Sequence, residues 1–166
     1  MKILNMGCGA RHLPELDSHD VTTLDIDPDL NPDIVHDLNI HPLPFEDETF
    51  DQIHCYDVLE HLGTQGDYRF FFSEWNEYYR ILKPGGKFIG AVPDINGVWA
   101  WGDPGHTRVL PRSILTFLDR SSYDNVGTRQ ITDYSRIYKG NFKPELIGFQ
   151  DPHGTTLIFI LRKIDG

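Results

Sequence analysis

Three features of the sequence have types and spacings that could do chemistry. The first is Gly7-Cys8-Gly9, which follows the short apolar run Lys2 to Met6. Glycines at the end of a buried strand permit backbone angles closed to other residues and let a ligand approach the main chain closely. Such a loop suits the polar part of a nucleotide if its N–H groups point outward. The second is Asp25, 16 residues past Gly9, closing the β-branched run that starts at Val21. In a βαβ nucleotide fold an acid there accepts hydrogen bonds from ribose hydroxyls. The third is a set of His, Asp and Asn residues farther along: His61, Asp94, Asn96 and His106.

These residues need elements to hold them. Residues 2–6 read as a first strand, 20–25 as a second, about 33–36 as a third and 51–55 as a fourth. Between the first two, Pro14 and weak periodicity leave only a turn or two of helix. The loop from Asn39 to Thr49 carries prolines and acids and should cross the sheet top with Leu43 and Phe45 inward. Helix formers run on from Val58, with breaks at Gly63 and Gly66. From Asp67 to Leu82, the residues Phe71, Trp75, Tyr78 and Leu82 recur at helical spacing and predict a face packed on the sheet. Lys83-Pro84-Gly85-Gly86 should stop that helix, and 87–92 reads as a fifth strand. Residues 93–110 form a long Gly-, Pro- and aromatic-rich loop, the kind of segment that often carries function. Pro111 to Asp119 predicts a short amphipathic helix with Ile114, Leu115 and Leu118 inward. A strand of uncertain limits falls within 131–149, and 155–163 alternates into a last strand.

Bulk properties narrow the function classes. A chain of 166 residues makes one domain (1–166) with room for a substantial core. The net charge of −10 argues against nucleic acid, which is bound mainly by Lys and Arg. No apolar segment approaches a membrane span and the start lacks a signal-peptide core, so a cytoplasmic protein is expected. Two cysteines, Cys8 and Cys55, fit a reduced compartment. The eight histidines show no Cys/His ligand spacing, so no metal site is expected.

The dinucleotide fingerprint requires a third glycine where His12 stands, which weakens an oxidoreductase reading. The glycine loop and the acid of the second strand resemble instead those of class I S-adenosylmethionine-dependent methyltransferases. The resemblance continues through Asp33-Ile34-Val35-His36-Asp37-Leu38, the Leu43 to Asp51 segment, Val58-Leu59-Glu60-His61-Leu62 and Leu82-Lys83-Pro84-Gly85-Gly86-Lys87, covering residues 2 to about 92 in the family's order. It implies an α/β, Rossmann-like, doubly wound sheet of seven mostly parallel strands with an antiparallel last strand, flanked by helices.

The resemblance also implies S-adenosyl-L-methionine as cofactor, with a small-molecule or sugar-like acceptor. Gly7, Cys8 and Gly9 would offer backbone to the methionine and ribose, Asp25 would take the ribose hydroxyls and Ile26 would flank the adenine. Asp37 would accept from the adenine amino group, Leu38 would donate its backbone N–H, and Cys55 and Tyr56 would lie beside the methionine arm. Asn5, where the family usually has an acid, joins this set; a third family glycine is replaced by Arg11. Asp103-Pro104-Gly105-His106-Thr107-Arg108 resembles a segment of methyltransferases sharing this first motif. On the acceptor side, His61, Asp94 and His106 are the candidate catalytic residues. Asn96, Trp99, Trp101 and Arg108 are the candidate substrate contacts, Trp99 and Trp101 as a hydrophobic lid. Arg108 could equally pair with an acid and pin its loop. The short chain leaves open a protein partner, a homo-oligomer, or a binding module that no longer catalyses or needs a partner to do so.

Overall fold

The computed structural model describes residues 1–10, 13–128 and 131–165. Arg11 and His12, which separate this loop from the family's glycine pattern and the dinucleotide pattern, lie outside the described residues. The strands are β1 (Lys2–Met6), β2 (Asp20–Asp25), β3 (Ile34–Val35), β4 (Phe50–Tyr56), β5 (Leu82–Pro93), β6 (Phe142–Phe149) and β7 (Thr156–Lys163). They form one seven-stranded sheet in the order β3-β2-β1-β4-β5-β7-β6. All pairs from β3 to β5 are parallel, and β7 runs antiparallel between β5 and β6. This is the sheet that the family resemblance implied.

The chain winds outward from β1 to β3, then crosses back to start β4 on the other side of β1. Open α/β sheets bind ligands where the strand order reverses in this way, at the carboxyl ends of the strands. Met6 pairs with Cys55, so Gly7 and Tyr56 leave the sheet side by side at that edge.

One helix supports the edge from below. Helix α1 (Tyr68–Ile81) starts where Asp67 caps the amides of Arg69 and Phe70. It buries Phe71, Phe72, Trp75, Tyr78 and Ile81. These rings join Leu4, Met6, Ile53, Cys55, Phe88 and Phe159 in the main core. The other face is thinly covered. There a single 3-10 turn, Pro14–Leu16, brings Leu16 together with Leu13, Ile3, Val21 and Tyr56 in a small satellite cluster.

Several segments differ from the sequence expectation. Leu82 is not the last residue of the helix face but the first of β5, which pairs with Phe50 before its register shifts. Lys83 to Gly86 therefore bulge within the strand rather than preceding it, with Gly85 at φ +74°. The run from Val58 yields only a 3-10 turn, Leu59–His61. The long loop contains a short helix, α2 (Val98–Gly102). Residues Arg112–Leu118 wind as a 3-10 helix, with Leu115 and Leu118 buried as expected. Among the described residues no helix is long and apolar enough to cross a membrane.

A buried ion pair joins α1 to the loops above it. Arg108 Nη2 donates to both oxygens of Glu74 at 2.8 Å, and its Nε donates to the Leu59 carbonyl at 2.7 Å. Glu74 also accepts from the Tyr78 hydroxyl. Burial pushes the Glu74 carboxyl up, and the Arg108 guanidinium opposes that shift. Breaking such a pair from one side leaves an uncompensated buried charge. We expect Arg108→Met to lower unfolding free energy by about 3–5 kcal/mol in urea titrations. The double variant Arg108→Met/Glu74→Met should lose less than the single one.

Candidate active site

The loop after β1 turns on two left-handed glycines, Gly7 at φ +63° and Gly9 at φ +54°. That turn directs its amides inward. Gly7 N and Cys8 N both donate to the Leu24 carbonyl, at 2.8 and 3.2 Å, and Gly9 N donates to Asp25 Oδ2 at 2.8 Å. The three N–H groups expected to face a ligand therefore hold the loop onto the end of β2. What the glycines supply is close approach. A Cβ on Gly7 would lie 2.3 Å from a Val58 methyl.

Asp25 is 8% exposed, and its Oδ1 accepts from the Asp27 amide at 3.0 Å. Two backbone donors thus fix its carboxylate at the tip of β2. Beside it opens a cavity of about 320 Å³, lined by Gly7, Asp25, Ile26, Asp37, Leu38, Val58 and His61 among others. Asp37 Oδ1 accepts from the backbone and side-chain nitrogens of Asn39, and these bonds hold its carboxyl below the usual range. Ile26 presents an exposed apolar surface to the opening.

The sequence reading missed other lining residues. His36, Asn39, Asp57 and Leu62 border the same cavity. Asp57 has φ +56°, a strained angle for a residue with a Cβ, and follows β4 directly. Strain of this kind clusters at ligand sites, but a single sequence does not display it.

Beyond Asp57 the chain forms a cluster joining distant residues. Glu60 is buried, and neither carboxylate oxygen has a hydrogen-bond partner. Burial raises its carboxyl to about 7, and the Asp57 charge adds to the rise, while its own backbone amide and the Arg108 charge oppose it only in part. His106 Nε2 lies 3.9 Å from Glu60 Oε1, and the His61 and His106 rings meet edge to face with centroids 4.6 Å apart. His61 Nδ1 lies 3.1 Å from the Gly105 carbonyl. No local spacing reveals this, because His61 and His106 come from separate loops.

Other predicted residues are placed differently. The Cys55 side chain is fully buried in the main core, where burial raises its thiol well above the ordinary range, so only its backbone borders the sheet edge. Cys8 is half-buried, and burial together with the Asp25 charge raises its thiol too. Tyr56 packs on the satellite cluster, and its hydroxyl meets His54 Nδ1 at 2.8 Å. Asn5 faces a second hollow of about 480 Å³ that shares Cys8 and Gly9 with the loop. Asp94 and Asn96 are bonded to one another and line a third hollow with Pro111 and Thr116, away from His61.

Arg108 is buried, and its guanidinium pairs with Glu74 and Leu59, the loop-pinning alternative that its sequence position offered. Trp99 and Trp101 do not line the cavity beside Asp25. They are 67% and 68% exposed on α2, with Trp101 Nε1 donating to the Ile95 carbonyl.

Comparison with known proteins places this geometry in a family. Residues 4–90 match the family model described as a methyltransferase domain. The chain belongs to the class I S-adenosylmethionine-dependent methyltransferase family. It is 44% identical over 54 residues to an uncharacterized protein of Methanocaldococcus jannaschii, a match covering 32% of this chain and 21% of that protein. The chain thus spans about a fifth of the length of that relative.

The fold is similar to an S-adenosylmethionine-dependent methyltransferase of Archaeoglobus fulgidus (TM-score 0.66, 15% identity, covering 98% of this chain and 86% of that one). It is similar too to a complex of the Haloferax volcanii Trm112 methyltransferase activator with a methyltransferase (0.65, 15%, 99% and 82%). A third such structure is the Burkholderia thailandensis 1,6-didemethyltoxoflavin-N1-methyltransferase with bound S-adenosylhomocysteine (0.62, 15%, 99% and 71%).

The Gly7–Val58 contact generates a test. An alanine in the left-handed region costs about 1–2 kcal/mol from the backbone alone. Gly66 has φ +86° but open space around its Cβ position, so Gly66→Ala should cost only that strain. Gly7→Ala should destabilise more than Gly66→Ala in thermal melts, because Val58 must also move.

Proposed function

We propose that this chain transfers a methyl group from S-adenosylmethionine to a small-molecule acceptor. The observation that carries the reading is Asp25: a carboxylate held by two backbone amides, beside a cavity where the strand order reverses. The cavity volume falls in the range of small-ligand pockets, about 300–1,000 Å³. Its donor set fits the cofactor. Asp25 retains lone pairs for ribose hydroxyls, Ile26 offers a flat apolar contact for adenine, and the second oxygen of Asp37 can accept from the adenine amino group, with the Leu38 amide beside it. Gly7 and its neighbours allow the close approach that the methionine arm needs.

Charge supports the same choice. Asp25, Asp37 and Asp57 all border the cavity, and they complement a sulfonium cation. The two phosphates of a dinucleotide would meet three carboxylates there. S-adenosylmethionine supplies an activated methyl group, so the chain's own task is to align two reactants and exclude water. Removing a proton from an acceptor falls to the Glu60, His61 and His106 cluster, of which His61 reaches the cavity rim. Asp94 and Asn96, held in their own turn, are left as contacts for a more distant part of the acceptor.

A partner-dependent form of this activity is favoured by one feature. Val98, Trp99 and Trp101 are 76%, 67% and 68% exposed on one short helix. An apolar cluster of that kind marks an interaction surface more often than a solvated one. A fold relative from Haloferax volcanii is bound to a Trm112 activator, which gives the reading a precedent in another protein.

Calorimetry with S-adenosylhomocysteine and with NAD tests the proposal. Binding of the first and not the second is expected; the reverse would refute it. Asp25→Ala should weaken S-adenosylhomocysteine by on the order of 1.5–3 kcal/mol, the worth of charge-assisted hydrogen bonds. A folded Asp25→Ala protein that binds as tightly as the unaltered chain would remove the central assignment.

A further inference from the structure

The cluster at Glu60 has features that a proton acceptor alone does not require. Ligand atoms of Glu60, His61 and His106 all lie within 4.8 Å of one another. Both Glu60 oxygens and His106 Nδ1 are buried without a hydrogen-bond partner. Burying a carboxyl without a hydrogen-bond partner is unfavourable, and a bound cation would relieve it. At 3.9 Å, the approach of His106 Nε2 to Glu60 is too long for a hydrogen bond.

The surroundings hold these side chains in place. The Glu60 carbonyl accepts from the Thr107 and Arg108 amides at 2.9 and 3.3 Å, which clips the His106 segment onto the Glu60–His61 turn. Beneath them Arg108 is locked by Glu74 and Leu59. His61 Nδ1 lies 3.1 Å from the Gly105 carbonyl, an atom that can only accept. His61 Nδ1 is therefore the donor in that contact, which leaves Nε2 as the ring nitrogen not engaged by the Gly105 carbonyl. Metal-binding histidines are oriented in this way, through a hydrogen bond from the other ring nitrogen to a carbonyl or carboxylate. Asp103 Oδ2, 3.9 Å from His106 Nε2, adds a second carboxylate at the edge of the cluster.

We propose that Glu60, His61 and His106 bind one divalent first-row transition-metal ion at the rim of the donor cavity. Two imidazoles and one carboxylate suit zinc, iron, cobalt or manganese better than magnesium or calcium, which prefer all-oxygen sites. Two neutral imidazoles leave the carboxylate charge to be balanced by the cation. Metal–ligand bonds of about 2.0–2.2 Å require donor separations of roughly 3.3 Å. The ligand atoms must therefore draw inward on binding, by small rotations of all three side chains. The exposed side at His61 also leaves coordination positions open, as in catalytic rather than structural sites.

An open position beside the methyl donor would take a hydroxyl or carboxylate oxygen of the acceptor. A bound cation lowers the pKa of a coordinated hydroxyl, and the acceptor could then lose its proton near neutral pH. This last role rests on the methyl-transfer reading. Ion binding does not, and it can be measured without any acceptor.

The test uses untagged full-length protein stripped with chelator and titrated with Co²⁺ in a visible spectrometer, then with Zn²⁺ in a calorimeter. One ion per chain is expected. His61→Ala and His106→Ala should each weaken it by more than the roughly 10–100-fold that loss of an outer-shell partner costs. Glu60→Gln should do the same, and His153→Ala, on the exposed turn between β6 and β7, should change nothing. Should Glu60→Gln fail to fold by circular dichroism, the two histidine variants still decide the matter. Absence of a bound ion, or binding undiminished in the double variant His61→Ala/His106→Ala, would overturn the proposal. S-adenosylhomocysteine binding measured on the same preparations separates this failure from failure of the methyl-transfer reading.

Discussion

The arrangement at the edge of the sheet depends on the ion pair between Arg108 and Glu74. Glu74 is fully buried on α1, and Arg108 arrives from a loop 34 residues later to meet both of its oxygens. In the same step its Nε caps the Leu59 carbonyl. One side chain therefore ties together the supporting helix, the turn after β4 and the segment carrying His106. Each of these loops has only one short helical turn of its own, at Leu59–His61 and Val98–Gly102. The pair itself is a modest contributor to stability, because desolvating two charges consumes most of their attraction. Its consequence is positional: Glu60, His61 and His106 meet because the backbone on either side is pinned.

The donor side follows from a different constraint. Parallel strands must be joined by crossovers, and here the first crossovers have shrunk to 3-10 turns at Pro14–Leu16 and Pro28–Leu30. The sheet nonetheless reverses its order at β1, which puts the ends of β1, β2 and β4 around one opening. Gly7 allows Val58 to close against the first loop, and Asp57 accepts a strained backbone to bring it there. Because the loop amides anchor the loop to β2, carboxylates and apolar side chains are prominent among the groups that line the cavity. That lining suits a cationic ligand with a ribose better than a polyphosphate.

Among the described residues the two faces of the sheet are covered unequally, which has a cost in burial. The face carrying Phe88 and Phe159 is packed against Trp75 and Tyr78 in a dense set of aromatic contacts. The opposite face has three buried residues in its own cluster. Most of the hydrophobic stabilisation therefore comes from the α1 side. Mutations there should be felt throughout the fold, while the opposite face tolerates hollows beside Asn5.

Much of this was legible in the sequence where the signal is local. Strand β1, Asp25 at the tip of β2 and the Phe71–Trp75–Tyr78 stripe each rest on periodicity or turn chemistry within a few residues. The order of short motifs was enough to anticipate the seven-stranded sheet. Tertiary structure decided what depends on distance. Leu82 continued the helical spacing but was taken by pairing with Phe50, since a strand position beside β4 buries it as completely as a helix face would. Arg108 had two readings in the sequence, and its pairing with Glu74 is visible only in the tertiary structure. Cys55 sits at a strand tip in sequence, yet the pleat points its thiol into the core. Glu60, His61 and His106 have no common motif, because two loops joined through Arg108 bring them together and no spacing along one chain can encode that meeting.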